Sequence, residues 1–163
     1  MKYLTSAITL LLVFSLSSFA QDKTFTFKAK VHAYGEPLKG ATIEVYEVGD
    51  LIYETTSKGG GKFEFELKAE REYMVEVSME NLTTKIIWVK TAGTQKLSFN
   101  IPTFSFDVVL KKEKPGPHNE LSEIPVTLIK YQPEKKEFYM DKDYANTVKS
   151  MKKSIKENGL QRR

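Results

Sequence analysis

From Thr24 to Tyr34 the chain alternates, with Phe25, Phe27, Ala29, Val31 and Ala33 apolar and Thr24, Thr26, Lys28, Lys30 and His32 polar. Period two over this length predicts a strand with one dry and one wet face. Gly35-Glu36-Pro37-Leu38-Lys39-Gly40 then carries turn chemistry, because proline presets φ and glycine admits positive φ. A second strand has Ala41, Ile43 and Val45 on one face, and Gly49-Asp50 between apolar runs signals a two-residue hairpin. Leu51 to Thr56 reads as the return strand, and Ser57-Lys58-Gly59-Gly60-Gly61 breaks the chain again. Phe63, Phe65 and Leu67, then Tyr73, Val75 and Val77, repeat the alternation. Ile86-Ile87-Trp88-Val89 is apolar on both faces, which suggests a central strand or one covered by an added element. Six closely spaced strands with no helix between them predict an antiparallel sandwich or barrel.

Further on, Leu97, Phe99 and Ile101 alternate until Pro102 stops the pairing. Phe104, Phe106, Val108 and Leu110 form another one-faced strand, and Pro125 to Tyr131 a strand partly apolar on both faces. Between them Glu113 to Glu123, with Pro115-Gly116-Pro117, reads as a long surface loop, a place where binding function often sits. The period then changes. Tyr144, Val148, Met151 and Ile155 fall at i, i+4, i+7 and i+11, a narrow helical stripe, with Asp141 or Asp143 to cap its start and Gly159 past its end.

The first twenty residues read as an address. Lys2 gives a positive start, Ile8 to Leu16 an apolar run too short to span a bilayer, and Ser18-Phe19-Ala20 the small residues of a cleavage site before Gln21. The expectation is an exported protein of the periplasm or cell surface.

At 163 residues and 40% hydrophobic content, the chain has the size of one domain and too much apolar character for wholesale disorder. The absence of cysteine removes disulfides, thiol catalysis, thiolate metal sites and a lipid anchor on cysteine. Of the two histidines, His32 falls on a wet strand face and His118 in the long loop, neither at metal spacing with other ligands. The three glycines at 59–61 lead into a strand, whereas a phosphate cradle needs a following helix N-terminus. Asp141 and Asp143 lack the glycine and later glutamate of a calcium loop. No Gly-x-Ser-x-Gly elbow and no His-Glu-x-x-His occurs. The expectation is therefore a protein that is not an enzyme, without catalytic residues, cofactor or metal.

Charge is unevenly placed. Lys149, Lys152, Lys153, Lys156, Arg162 and Arg163 against Glu157 alone give residues 149–163 a net charge of +5, while residues 21–148 carry −2. Three uses of this basic helix stay open: a surface helix laid on the sandwich, weak peripheral attraction to an anionic membrane face, or docking on an acidic protein. Nucleic acid is disfavoured, because the strands offer no basic-aromatic stacking platform.

The turn and strand Gly35-Glu36-Pro37-Leu38-Lys39-Gly40-Ala41-Thr42-Ile43-Glu44-Val45-Tyr46, with Gly61-Lys62-Phe63-Glu64-Phe65 and Tyr73-Met74-Val75-Glu76-Val77-Ser78, carries a likeness. Residues 27–90 resemble the carboxypeptidase regulatory-like domain, a transthyretin-like (prealbumin-like) sandwich. Two departures stand out: Ser57-Lys58 replaces the family's Thr-Asp turn, and Asn81-Leu82 its Gly-Tyr. Asn81 tolerates left-handed φ, so that turn can survive. The later pieces Pro102 to Val108, Pro125 to Tyr131 and Pro133 to Tyr144 are similar to the tails of small exported Bacteroidota proteins that carry this domain. The resemblance implies a mainly β, antiparallel Greek-key sandwich of about seven strands with extra C-terminal strands and a C-terminal helix. It also implies an accessory module in place of a catalytic one.

The expected organisation is a signal peptide at 1–20, the sandwich at 21–110 and a loop, strand and basic-helix extension at 111–163. Two functions follow. One is a non-catalytic interaction or structural module of the cell envelope that binds a protein partner, with Lys149, Lys152, Lys153 and Lys156 as the partner or membrane contact. The other is a carbohydrate-binding module with Trp88, Tyr34, Tyr46 and Tyr53 stacking on sugar rings.

Overall fold

A computed structural model describes residues 23–94, 102–112 and 124–160, without the side chains of residues 156 and 158–160. The expected signal peptide, the alternation at Leu97 to Ile101, the loop around His118, and Arg162 and Arg163 lie outside the described residues. The strands are β1 (Thr24–Ala33), β2 (Glu36–Pro37), β3 (Thr42–Glu47), β4 (Asp50–Thr56), β5 (Lys62–Lys68) and β6 (Glu72–Ser78). They continue with β7 (Leu82–Thr83), β8 (Lys85–Lys90), β9 (Phe104–Lys112), β10 (Thr127–Gln132) and β11 (Glu137–Met140), and the chain closes with helix α1 (Lys142–Leu160).

Two mixed sheets pack face to face. In the first, β1 pairs with β2 and β5 along one edge and with β9 along the other, and β7 adds to the end of β9. The second runs β11-β10-β8-β6-β3-β4. The alternation read from sequence places the core: Phe25, Phe27, Ala29, Val31 and Ala33 of β1 are buried, as are Phe63, Phe65 and Leu67 of β5 and Tyr73, Val75 and Val77 of β6. Phe27 lies at the centre, stacked on Phe65 at 5.5 Å and edge-on to Phe104 at 6.1 Å and Phe138 at 5.0 Å. Offset and edge-on ring pairs of this kind add to plain area burial.

Two pairings depart from an antiparallel sandwich: β1 with β9 and β8 with β10 are parallel. Parallel neighbours need long crossover connections, and the segments before β9 and before β10 are both far longer than hairpin turns. β10 therefore lies inside the second sheet, with Ile129, Tyr131 and Phe138 among the core residues. The double-sided apolar character of β8 has two causes. Its inner residues Ile87 and Val89 face the core, and on its outer side Trp88 meets Tyr144 of α1 edge-on at 6.3 Å.

The turns carry further detail. The two loop residues between β3 and β4 are Val48 and Gly49, one position earlier than Gly49-Asp50, and both have positive φ, at 53° and 92°. Asn81 takes a φ of 63°, the left-handed conformation its side chain tolerates. Buried Ser57 fastens the preceding loop: its hydroxyl donates to the Leu38 carbonyl at 2.7 Å and accepts from the Ala41 amide at 3.0 Å.

Asp141 caps α1, since its Oδ1 accepts from the backbone N–H groups of Asp143 and Tyr144 at 3.0 and 3.1 Å. Gly159 lies within the helix. Lys130 reaches the other oxygen of Asp141 at 2.6 Å, and this contact, then the Tyr144 amide, holds the Asp141 carboxyl below its ordinary range. A depressed carboxyl pKa stabilises the fold above the unfolded value and loses that contribution as pH falls through the folded one. Asp141→Ala is thus expected to cost about 1 kcal/mol near neutral pH, the usual worth of an N-cap. The gap to the parent protein should narrow below about pH 4, as read from thermal midpoints across an acid titration.

Candidate functional site

The alternation that buries Ile43, Val45, Val75, Val77, Ile87 and Val89 sends their neighbours to the outer face of the second sheet. There Leu51, Tyr46, Met74, Trp88 and Leu128 stand opposite one another across β4, β3, β6, β8 and β10. At the β10 end this row is covered by the start of α1, and Leu128 is buried. Toward β3 it opens into a cleft of about 540 Å³ lined by Tyr46, Val48, Met74, Trp88, Pro125 and Tyr144, with Glu72 also in its wall.

Each wall has a local cause. The Asp141 cap starts α1 where the Tyr144 hydroxyl donates to the Pro125 carbonyl at 3.1 Å, which fixes one side. The opposite side is the β3–β4 hairpin, whose tip Val48 is 95% exposed. A β-branched residue at φ 53° is strained, and such strain persists where the surroundings over-determine it. Val48→Asn would give the hairpin an Asn-Gly turn, which accepts positive φ at both central positions. It is expected to raise unfolding stability by about 1 kcal/mol, measurable by urea denaturation.

The polar groups of the cleft are mutually occupied. Lys90 Nζ lies 3.8 Å above the Trp88 ring centre and 3.0 Å from a Glu72 carboxylate oxygen. Burial, and after it the carboxylates of Glu44 and Glu76, pushes the Tyr46 hydroxyl up. Burial does the same to Tyr144. Both phenols therefore stay neutral at ordinary pH and act as packing surfaces with a hydrogen-bonding tip.

Of the aromatics singled out by sequence, Trp88 and Tyr46 come together in this cleft, each half-buried. Tyr34 does not join them: it sits in the β1–β2 turn of the other sheet, at φ 55° and 74% exposed. Tyr53 is also elsewhere, its hydroxyl directed at the Glu64 carbonyl of β5 at 3.4 Å. Among the helix lysines, Lys149 is exposed and Lys153 pairs loosely with Glu157 at 3.8 Å. Lys152 is half-buried, and burial, then the nearby Lys85 ammonium, pushes its pKa down. The Lys156 side chain lies outside the described residues. The helical stripe is seated over its first half only: Val148 is buried, whereas Met151 and Ile155 are 44% and 45% exposed.

Met74 and Val48 were not singled out by sequence. The usable signal was parity, because Tyr46, Met74 and Trp88 all hold wet-face positions on strands that become neighbours. A second concavity, of about 740 Å³, lies against the first sheet with Lys28, Lys30, Lys58 and Lys62 in its wall beside Glu64 and Asp107. His32 lies 3.6 Å from Asp107. Among the described residues no group of three His, Cys, Asp or Glu side chains could hold a metal ion. No helix among them is long and apolar enough to cross a membrane.

No family model matches the chain, and no curated protein matches it. Among solved structures it is similar to the Bacillus anthracis TIE protein, at TM-score 0.44 and 12% identity over 55% of this chain and 17% of that one. It is also similar to the full-length major pilin SpaD from Corynebacterium diphtheriae, at TM-score 0.43 and 13% identity over 57% and 31%. A third is 3-chlorocatechol 1,2-dioxygenase from Rhodococcus opacus 1CP, at TM-score 0.41 and 12% identity over 58% and 62%. This chain spans less than two thirds of the length of each. Pilin and enzyme stand side by side at this level of likeness, which bears on neither activity nor partner.

Proposed function

We propose that the protein is a non-catalytic, exported interaction module of the cell envelope that grips a protein partner with the outer face of its second sheet. The observation that carries this is the open apolar cleft of Tyr46, Met74 and Trp88 between the protruding Val48 hairpin and Tyr144. A half-exposed aromatic and thioether surface rimmed by polar groups is the composition that protein contacts favour. Export is supported by the charged start, apolar run and small-residue cleavage pattern of residues 1–20. The resemblance of residues 27–90 to the carboxypeptidase regulatory-like domain supports an accessory role.

A photo-crosslinking amino acid at Met74, compared in living cells with one at exposed Glu66 on the first sheet, tests the proposal. A discrete crosslinked protein from position 74, absent from position 66 and lost on Trp88→Ala, is the expected result. No adduct from position 74, or the same adducts from both positions, would overturn it.

The meeting of Trp88 and Tyr46 in one cleft favours a second reading, glycan binding. Against it, the Lys90 ammonium occupies one face of the indole that a sugar ring would use. Glycan binding predicts quenching of Trp88, the sole tryptophan, on titration with an envelope polysaccharide, and a flat titration counts against it.

A further inference from the structure

Helix α1 presents a surface that its own sheet does not use. Tyr144 and Val148 are seated over β8 and β10, but the continuation of the same stripe, Met151 and Ile155, stays about half exposed. The basic flank of the helix also meets the wrong charge at home. Lys152 lies beside Lys85, and burial together with their mutual repulsion pushes the Lys152 pKa down, while burial and Lys111 do the same to Lys85. Lys149 is exposed, with no carboxylate against it among the described residues.

The complement of this surface lies on the uncovered half of the same sheet. Next to the apolar row of Leu51, Tyr46 and Met74 runs a parallel row in which Glu44 stands directly opposite Glu54 on one side and Glu76 on the other. Like charges opposite one another in a sheet are destabilising. Among the described residues none of the three is paired with a cation, and burial and Glu44 push the Glu76 carboxyl up. The two rows are two residues apart along the strands, about 7 Å, so a single helix laid across the strands covers both.

We propose that a second copy of this chain is the occupant: the exposed half of α1 from each copy lies across β3, β4 and β6 of the other. Met151 and Ile155 then rest on the Leu51–Tyr46–Met74 row, and Lys152, the lysine that flanks this stripe, faces Glu44 and its neighbours. The proposal rests on the outer face of the second sheet being a protein-binding surface, and it names the protein. Both halves of the contact belong to one chain, so a two-fold arrangement buries both apolar stripes and neutralises both charge sets at once, in the closed form that most homo-oligomers take. No membrane or foreign acidic protein is needed to account for the basic tail.

Charge reversal with reciprocal rescue tests this on the purified protein by analytical ultracentrifugation. The parent protein is expected to self-associate to a dimer. Glu44→Lys and Lys152→Glu should each weaken that association roughly tenfold or more, and an equimolar mixture of the two variants should recover it. Ile155→Asp, at an exposed position, should likewise give a monomer, with the melting temperature that the parent shows when diluted below its dimer range. Glu44→Lys removes a like-charge contact within the sheet, so at concentrations where both proteins are monomeric its melting temperature should be equal or higher, which separates lost dimer from lost fold. A parent protein that stays monomeric throughout, or a dimer indifferent to all three changes, overturns the proposal. If a monomeric protein still gives a crosslink to a different protein from position 74, the partner surface stands and the second copy is not its occupant.

Discussion

Gly61→Ala is expected to destabilise the protein by about 3 kcal/mol or more, read from urea unfolding of the variant beside the parent. Gly61 is buried where the Gly59–Gly61 turn leads into β5, with φ at 70°. An added Cβ would lie 2.3 Å from the Val31 carbonyl oxygen and 3.2 Å from the Leu38 amide nitrogen. These two groups bond to each other at 2.8 Å, tying β1 to the loop before β3. The clash is therefore with backbone on two sides, and no side chain can rotate to relieve it. Gly60 supplies the control. Its φ is also positive, at 73°, but the nearest atom to an added Cβ is Lys62 Cε at 3.8 Å. Gly60→Ala should lose only the conformational part, about 1 kcal/mol. Equal losses at the two positions would show that crowding against Val31 is not what matters.

Phe138→Ala is expected to remove about 3–5 kcal/mol, enough to threaten folding of a domain whose whole margin is of order 5–15 kcal/mol. Phe138 belongs to β11, a four-residue edge strand late in the chain, yet it is buried. Its ring lies within 5.4 Å of Phe25, 5.0 Å of Phe27 and 5.6 Å of Tyr131. Truncation would open a cavity lined by rings from both sheets, which cannot collapse without moving strands. Phe138→Leu should lose much less. Ile155→Ala, on the exposed part of the helix, should change the stability of the monomer by under about 0.5 kcal/mol. Denaturant midpoints of the three variants check the order.

Strands β1, β3, β5 and β6 were legible because each keeps one face dry over five or more residues. Period two then names the core residues as well as the elements, as in β1, β5 and β6. The double-sided apolar character of Ile86 to Val89 pointed correctly to a covered central strand. What covered it was not legible, because local pattern contains no information on which distant strand becomes a neighbour. The parallel pairings β1–β9 and β8–β10 arise only when long connections cross the fold. β11 is too short, and Glu137-Phe138-Tyr139-Met140 too mixed, to show a period. The helix was visible as a stripe, but a stripe does not say where support ends: Val148 has a sheet beneath it and Ile155 does not. For the cleft, Trp88 and Tyr46 were visible as wet-face aromatics, and their meeting needed the register of β3, β6 and β8. Tyr34 shared their chemistry and not their place, because a turn residue belongs to no sheet face.

The position of β10 between β8 and β11 has a consequence for biogenesis. Phe25 and Phe27 leave the ribosome early, yet the ring that completes their packing comes 111 residues after Phe27. At ordinary elongation rates, the interval between Lys90 and Phe138 alone is roughly 2–10 s. Until Thr127–Gln132 has emerged, the edge of β8 has no β10 beside it. A nascent chain in this condition is a natural client for holdase chaperones, and premature termination before Phe138 would yield a sticky fragment in place of a smaller working protein.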